Sequence, residues 1–249
     1  MPRPQVQGNQ KEHLKKALNF LIRQPYFSES GYNLKHLSNA LAKLKEDYPD
    51  WNTVISHLEI PILDEELLEH DPEIIIGGII EARDYEVIYS TFSASIIFTT
   101  EAPEPSSYTR ILNAPSCCLK DHANKRRIIR HFHFDFQPKS KIKPTSHFQY
   151  GGSFPEEEDY GDCHYCLDHK LKIPRIFFPP MDIVLILDLI IREFNTPLRN
   201  LTEEGEWTNL VFESQKLWWK NYWDNSIIYL RTTIGKTFLE SIYGNNNER

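Results

Sequence analysis

Glycine and methionine are scarce in this chain of 249 residues, at ten and two, and there are only four cysteines. Each shortage excludes something. Nucleotide phosphates are usually cradled by glycine-rich turns. The chain has no P-loop, no glycine-rich dinucleotide fingerprint and no nucleophile elbow, and Gly151-Gly152 reads as a turn. ATP- and NAD-dependent chemistry is therefore disfavoured. Four cysteines do not make a disulfide framework and suit a reducing compartment. Long apolar runs are also missing. The longest, Ile183 to Ile191, is broken by Asp188 and is too short to span a bilayer. No apolar signal segment stands at the polar, proline-containing N-terminus. The expectation is a cytoplasmic protein with no membrane association. A net charge of −7 argues against nonspecific affinity of the whole molecule for nucleic acid.

With so little methionine, aromatic side chains (12% of residues) must fill much of the core. Three of them alternate with titratable residues in Arg127-Ile128-Ile129-Arg130-His131-Phe132-His133-Phe134-Asp135-Phe136. Side chains of a β-strand alternate between its two faces. Ile128, Phe132, Phe134 and Phe136 then share one face, and Arg127, His131, His133 and Asp135 the other. A short second strand, His147 to Gly152, alternates in the same sense, with His147 and Gln149 on the polar side. If the two pair, one face is aromatic core and the other gathers three histidines and an aspartate.

Helical periodicity frames this region on both sides. Leu14, Ala17, Leu18, Leu21 and Ile22 form one face of a helix over Lys11 to Gln24, and Pro25 ends it. Leu34, Leu37, Leu41, Leu44 and Tyr48 describe a second helix. Trp51 to Ile60 reads as a short third one. Pro61 to Glu73 carries six carboxylates and reads as a solvated loop. From Ile74 the composition turns β-branched, with Gly77-Gly78 suggesting a bulge or turn. Tyr85 to Thr91 and Ser93 to Thr100 read as two strands or one long bent one. Met181 to Phe194 is a helix apolar nearly all round, with Pro179 and Pro180 before it. Glu206 to Asp224 is a long aromatic helix, and Ile227 to Tyr243 a last helix or a strand plus helix. The expected architecture is a single α+β domain over 1–249. It has a helical N-terminal part (1–60), a central antiparallel sheet (73–152), and a mainly helical C-terminal part (179–243) packed on one sheet face.

Four features carry candidate chemistry. Imidazole and carboxylate groups converging from neighbouring strands suit zinc or manganese, so His131, His133, Asp135 and His147 are the candidate metal ligands and catalytic residues. The same residues also fit the polar face of a half-buried sheet. His131-x-His133-x-Asp135 departs from the metallo-β-lactamase signature, which continues with histidine where Phe136 stands here. It departs as well from the cupin motif, which places a glutamate shortly after its paired histidines. The second feature is Cys163-x-x-Cys166, which with His169 forms a candidate structural zinc site, or else a pair of ordinary thiols.

Third, Lys120 to Lys143 holds eight cations against two acids, a local excess of six in an acidic protein. Lys125, Arg126, Arg127, Lys139, Lys141 and Lys143 are its candidate contacts to nucleic acid or a partner protein. Fourth, Trp219 and Trp223 widen the stripe of the aromatic helix and would mark a protein-binding face if exposed. Asp188, alone in its apolar helix, needs a partner, and Arg130 on the aromatic face is one candidate. Two functions follow. The first is a noncatalytic accessory protein that binds a partner protein or nucleic acid through a basic β-hairpin, in a microbial defence or mobile-element setting. The second is a metal-dependent phosphodiesterase or nuclease built on the His/His/Asp strand face.

Overall fold

The computed structural model describes residues 9–45, 48–65, 68, 71–98, 127–137, 146–150, 176–220 and 222–224. Three helices open the chain: α1 (Asn9–Arg23), α2 (Pro25–Glu29) and α3 (Gly31–Leu44). Six strands follow: β1 (Trp51–Pro61), β2 (Pro72–Arg83), β3 (Glu86–Phe98), β4 (Arg127–Phe136), β5 (Ser146–Tyr150) and β6 (Ile176–Phe177). They form one antiparallel sheet in sequence order, each strand hydrogen-bonded to the next. Then come α4 (Ile183–Glu193), a 3₁₀ segment (Arg199–Glu203), α5 (Gly205–Ser214) and a π-helical turn (Gln215–Lys220). The class is α+β, as composition and periodicity predict. Among the described residues no helix is long and apolar enough to cross a membrane.

One element differs from expectation, and two open alternatives are resolved. Trp51 to Ile60 is strand β1, not a helix. Trp51, Thr53 and Ile55 are buried in alternation, and a register shift before Leu58 returns Leu58 and Ile60 to the same core. The three-residue step from Ile55 to Leu58 imitates a helical interval. Of the bulge or turn expected at Gly77-Gly78, the irregularity is present, because the β1 register shift between Ile55 and Leu58 falls opposite Gly77, while β2 itself runs on without a turn. The glycine at 78 serves packing, since a Cβ there would lie 2.7 Å from Phe92 Cγ on the neighbouring strand. Finally, of the two strands or one long strand expected from Tyr85 onward, the single strand is found, over Glu86–Phe98. The turn lies just before it, where Asp84 and Tyr85 both have positive φ (50° and 64°) between the paired Arg83 and Glu86. Two non-glycine residues rarely hold that conformation. Hydrogen bonds from Asp84 N to Asp50 Oδ1 and from Tyr85 N to Pro49 O, 2.9 and 2.8 Å, brace it from outside. The expected element over Ile227 to Tyr243 lies outside the described residues.

The helices and one sheet face enclose a single core. Leu14, Leu18, Leu21, Leu37 and Leu44 from the N-terminal helices join Ile76, Ile80, Phe92, Ala94 and Phe134 of the sheet and nearly all of α4. Trp207 of α5 stacks on Phe20 of α1. Phe134 contacts Phe132, Phe148 and Phe178, and Phe136 meets Trp218 edge-on. Such ring pairs add about 0.5–1.5 kcal/mol each beyond their burial.

A buried polar node ties the two helical halves together. Asp182 caps α4, its Oδ1 accepting from Leu185 N, while its Oδ2 accepts from Ser214 Oγ (2.8 Å) and Trp218 Nε1 (3.0 Å). His13 of α1 lies 2.6 Å from Ser214 Oγ. The single hydroxyl proton of Ser214 goes to the carboxylate, so His13 is the donor in that contact. Asp188 is held by Trp207 Nε1 and Arg192 Nε, at 3.1 and 2.8 Å. The side chain of Arg130, the candidate partner from sequence, lies outside the described residues. The free edge of β1 is blocked by Asn33 of α3, whose side-chain amide donates to Glu59 O and accepts from Glu59 N, both at 2.9 Å. An open edge invites pairing with another chain, and this plug prevents it there.

Gly78→Ala should destabilise the fold by about 1–3 kcal/mol, because the added methyl must displace the Phe92 ring in a full core. Urea denaturation measures this. Unchanged stability would mean that the ring moves aside freely.

Candidate metal centre

The centre follows from two strand rules. Residues two apart on β4 share a face, which places His133 beside Asp135. Antiparallel pairing then sets His147 of β5 directly opposite Asp135, and Gln149 opposite His133. On the other side β3 sets Thr91 opposite Asp135 and Ser93 opposite His133. Asp135 is thus flanked by His147 and Thr91, with His133 one step along its own strand.

The distances are short. Nε2 of His133 and Nε2 of His147 each lie 3.4 Å from Asp135 Oδ2. One ligand atom from each of the three residues lies within 4.8 Å of the other two. Ligands about 2.1 Å from a tetrahedral ion are about 3.4 Å apart, so the two His–Asp separations already have the spacing a metal requires. The side chains of His133, Asp135 and His147 are 11%, 12% and 0% exposed.

Neither ring nitrogen of His147 has a hydrogen-bond partner among the described residues, although both are buried. Its approach to Asp135 is electrostatic and not an aligned hydrogen bond. A buried imidazole left in this state is costly, and metal coordination through one nitrogen would remove most of that cost.

Asp135 itself is in the form a metal ligand must take. Burial works against its ionisation. The polar contacts of His133 and His147, the charge on His133 and a hydrogen bond from Thr91 outweigh burial and hold the carboxyl well below the usual carboxylate range. Tyr89 stands two residues before Thr91 on the same strand. Its phenol is pushed up, first by burial and then by the charge of Asp135.

No family model, curated protein or solved structure matches this chain. The chemistry of the centre therefore rests on its own side chains.

Of the four ligands expected from sequence, three converge. His131 keeps its place in β4 opposite Ser95, one step farther along the same face, and its side chain lies outside the described residues. Arg127 opens β4 opposite Phe98, and its side chain is likewise outside them. Lys125, Arg126, Lys139, Lys141, Lys143, Cys163, Cys166 and His169 also fall outside the described residues. The two tryptophans part company. Trp219 is half-buried, with its Nε1 donating to Pro180 O at 2.9 Å, so it belongs with the packed side of its helix. Trp223 is 45% exposed and rests edge-on against Tyr222. Sequence reading missed Thr91 and Tyr89. Their signal was the run of hydroxyls at every second position, Tyr89, Thr91, Ser93 and Ser95, against Phe92, Ala94 and Ile96 on the other face. A separate open cleft of about 700 Å³ lies between the end of α3 and the β1–β2 hairpin. Lys43 and Arg83 balance Asp50 and Glu81 in its lining, and it contains none of the residues of the centre.

The lowered Asp135 carboxyl has a consequence for stability. A carboxyl whose folded-state pKa is depressed stabilises the fold at any pH above its unfolded value, near 3.9, and loses that contribution as pH falls through the folded value. In chelator-containing buffer, Asp135→Asn should therefore cost most stability above about pH 5, and the gap to wild type should narrow below about pH 4. Denaturant titrations across that range measure it. A gap of constant size from pH 7 to pH 3 would contradict the assignment.

Proposed function

We propose that this protein is a metal-dependent hydrolase acting on phosphodiesters, with His133, Asp135 and His147 as the ligands of a divalent cation, zinc or manganese. The observation that carries the reading is the convergence of two imidazoles and one ionised carboxylate within 4.8 Å on one sheet face. Three protein ligands leave coordination positions for water and substrate, the arrangement of catalytic rather than closed structural sites. A bound cation would supply an acidified water and polarise a phosphoryl oxygen. The protein would orient the ion through the rigid β4–β5 pair. The phosphate preference rests on sequence: the connection from β4 to β5 carries Lys139, Lys141 and Lys143, and Arg127 begins β4. Cations so close in the chain to the ligands suit a polyanionic substrate.

The second reading is a noncatalytic accessory protein that binds a partner protein or nucleic acid through the basic hairpin. It is favoured by one different observation, the exposure of Phe212 (61%) and Trp223 (45%) on the C-terminal helical segment. Aromatic side chains in such positions are common anchors of protein interfaces.

One experiment separates the two. Wild type and the double variant His133→Ala/His147→Ala are dialysed against zinc or manganese, their metal content is measured by mass spectrometry, and each is assayed on bis(p-nitrophenyl) phosphate and on single-stranded DNA and RNA. The hydrolase reading expects about one ion per wild-type chain, little in the variant, and cleavage that a chelator abolishes and added metal restores. Metal without cleavage would leave a structural ion and favour the binding reading. No metal in either protein would remove the centre.

A further inference from the structure

Among the described residues β1 is the outermost strand on its side of the sheet, and its outer edge is closed over only part of its length. Asn33 and Tyr26 hold Glu59, and the register shift between Ile55 and Leu58 interrupts the edge just before it. From Trp51 to Ile55 the strand is regular, paired with Ala82 to Gly78 of β2. Among the described residues no backbone hydrogen bond from outside the sheet reaches this stretch. Thr53 and Ile55 are each 1% exposed, backbone included, so their main-chain groups turn inward to β2. In an antiparallel pair the residues between them turn theirs outward. Those residues are Asn52, which is exposed, and Val54, which is half-buried. Outward N–H and C=O groups on an edge strand are a template for another strand.

The open cleft of about 700 Å³ begins at this stretch. Trp51 and Asn52 line it with Ala42 and Lys43 at the end of α3 and with Tyr48 and Asp50 just before β1. Its wall is preformed, because Asp50 Oδ1 and Pro49 O accept from Asp84 N and Tyr85 N and tie this segment to the β2–β3 turn. We propose that the Trp51–Ile55 edge and this cleft bind an extended peptide segment of a partner protein, which adds to the sheet as a strand beside β1. Main-chain hydrogen bonds to Asn52 and Val54 supply the affinity, and alternate side chains of the peptide enter the cleft. The lining suits a polypeptide of mixed charge and not nucleic acid. Its cations, Lys43 and Arg83, are matched by Asp50 and Glu81, so it offers a polyanion no net attraction. A second copy of this chain is a poorer occupant. Five residues of edge make about 17 Å of strand, too little for the roughly 1,000 Å² that a stable pair of subunits buries. The Tyr48 ring, 61% exposed, is free to cover a side chain of the peptide. The site is independent of the metal centre.

The test uses the full chain and a phage-displayed library of random octapeptides. Selected peptides are synthesised and their affinity is read by fluorescence polarisation, with folding of each variant checked by circular dichroism. Asn52→Pro deletes an outward N–H, and edge strands tolerate proline where the N–H faces solvent. It should weaken binding about 10-fold. Ala42→Trp leaves the β1 backbone unchanged, fills the cleft and should weaken binding in the same direction. Amide hydrogen exchange at Asn52 and Val54 should slow when peptide is bound. A library that yields no binder of the folded chain would overturn the proposal. Binders whose affinity is unchanged in both variants would overturn it too, by placing them elsewhere on the surface. Concentration-dependent dimerisation that is lost in Asn52→Pro, seen by analytical ultracentrifugation, would make a second copy the occupant and overturn the peptide. If Asn52→Pro does not fold, Ala42→Trp and the exchange rates in wild type still decide the matter.

Discussion

The register between β4 and β5 is the constraint on which the functional reading depends. It sets His147 opposite Asp135 and Phe148 opposite Phe134 in the same stroke. A slip of one residue would carry His147 into the aromatic core and expose Phe148 on the polar side, so the hydrophobic effect enforces the geometry of the polar face. The ring contacts among Phe132, Phe134, Phe148 and Phe178 are thus the support of the centre as well as part of the core. β3 completes the frame by holding Thr91 on the far side of Asp135.

The aromatic face needs a fixed surface to pack on, and the helices provide it. They come from opposite ends of the chain, so their union must be specified. Asp182 does this by accepting from the start of α4, from Ser214 at the end of α5 and from Trp218 in the π-helical turn, with His13 of α1 reaching Ser214. Removing one partner would leave the others buried and unsatisfied, which typically costs about 1–3 kcal/mol for each polar group. The π-helical turn has a role in this arrangement. It follows the last turn of α5 and brings Trp218 to Asp182 on one side and to Phe136 of β4 on the other. The helical node and the central strand therefore meet at one indole ring.

Much of this was legible in the sequence, because period-two alternation is unambiguous when large aromatic and titratable residues take turns. The stretch to Phe136 announced its conformation and, from Arg130 onward, its two faces, and His147 was paired with it correctly; a register shift between Ile128 and Arg130 sets Arg127 opposite Phe98 instead of in phase with His131. The helices Asn9–Arg23 and Ile183–Glu193 were visible for the same reason at helical period. Legibility failed where one residue shifted the phase. The register shift between Ile55 and Leu58 gave β1 a helical interval. Gly77-Gly78 marked an irregularity that does lie there, on the facing strand, but Gly78 is also a packing contact with a ring on another strand, which no local pattern reports. The start of α4 was read from Pro179 and Pro180, whereas the cap is Asp182, whose significance depends on Ser214 and Trp218 more than thirty residues later. Thr91 and Tyr89 were missed because a hydroxyl on a strand has no chemical meaning until its cross-strand neighbour is known.

The most direct test of the account is anomalous diffraction from crystals of the full chain grown with zinc, with data collected on both sides of the zinc absorption edge. The account predicts one strong peak bounded by Nε2 of His133, Nε2 of His147 and a carboxylate oxygen of Asp135, at about 2.0–2.2 Å from each. Ordered, well-defined side chains at these three positions with no peak among them, at zinc concentrations far above the protein's, would contradict it.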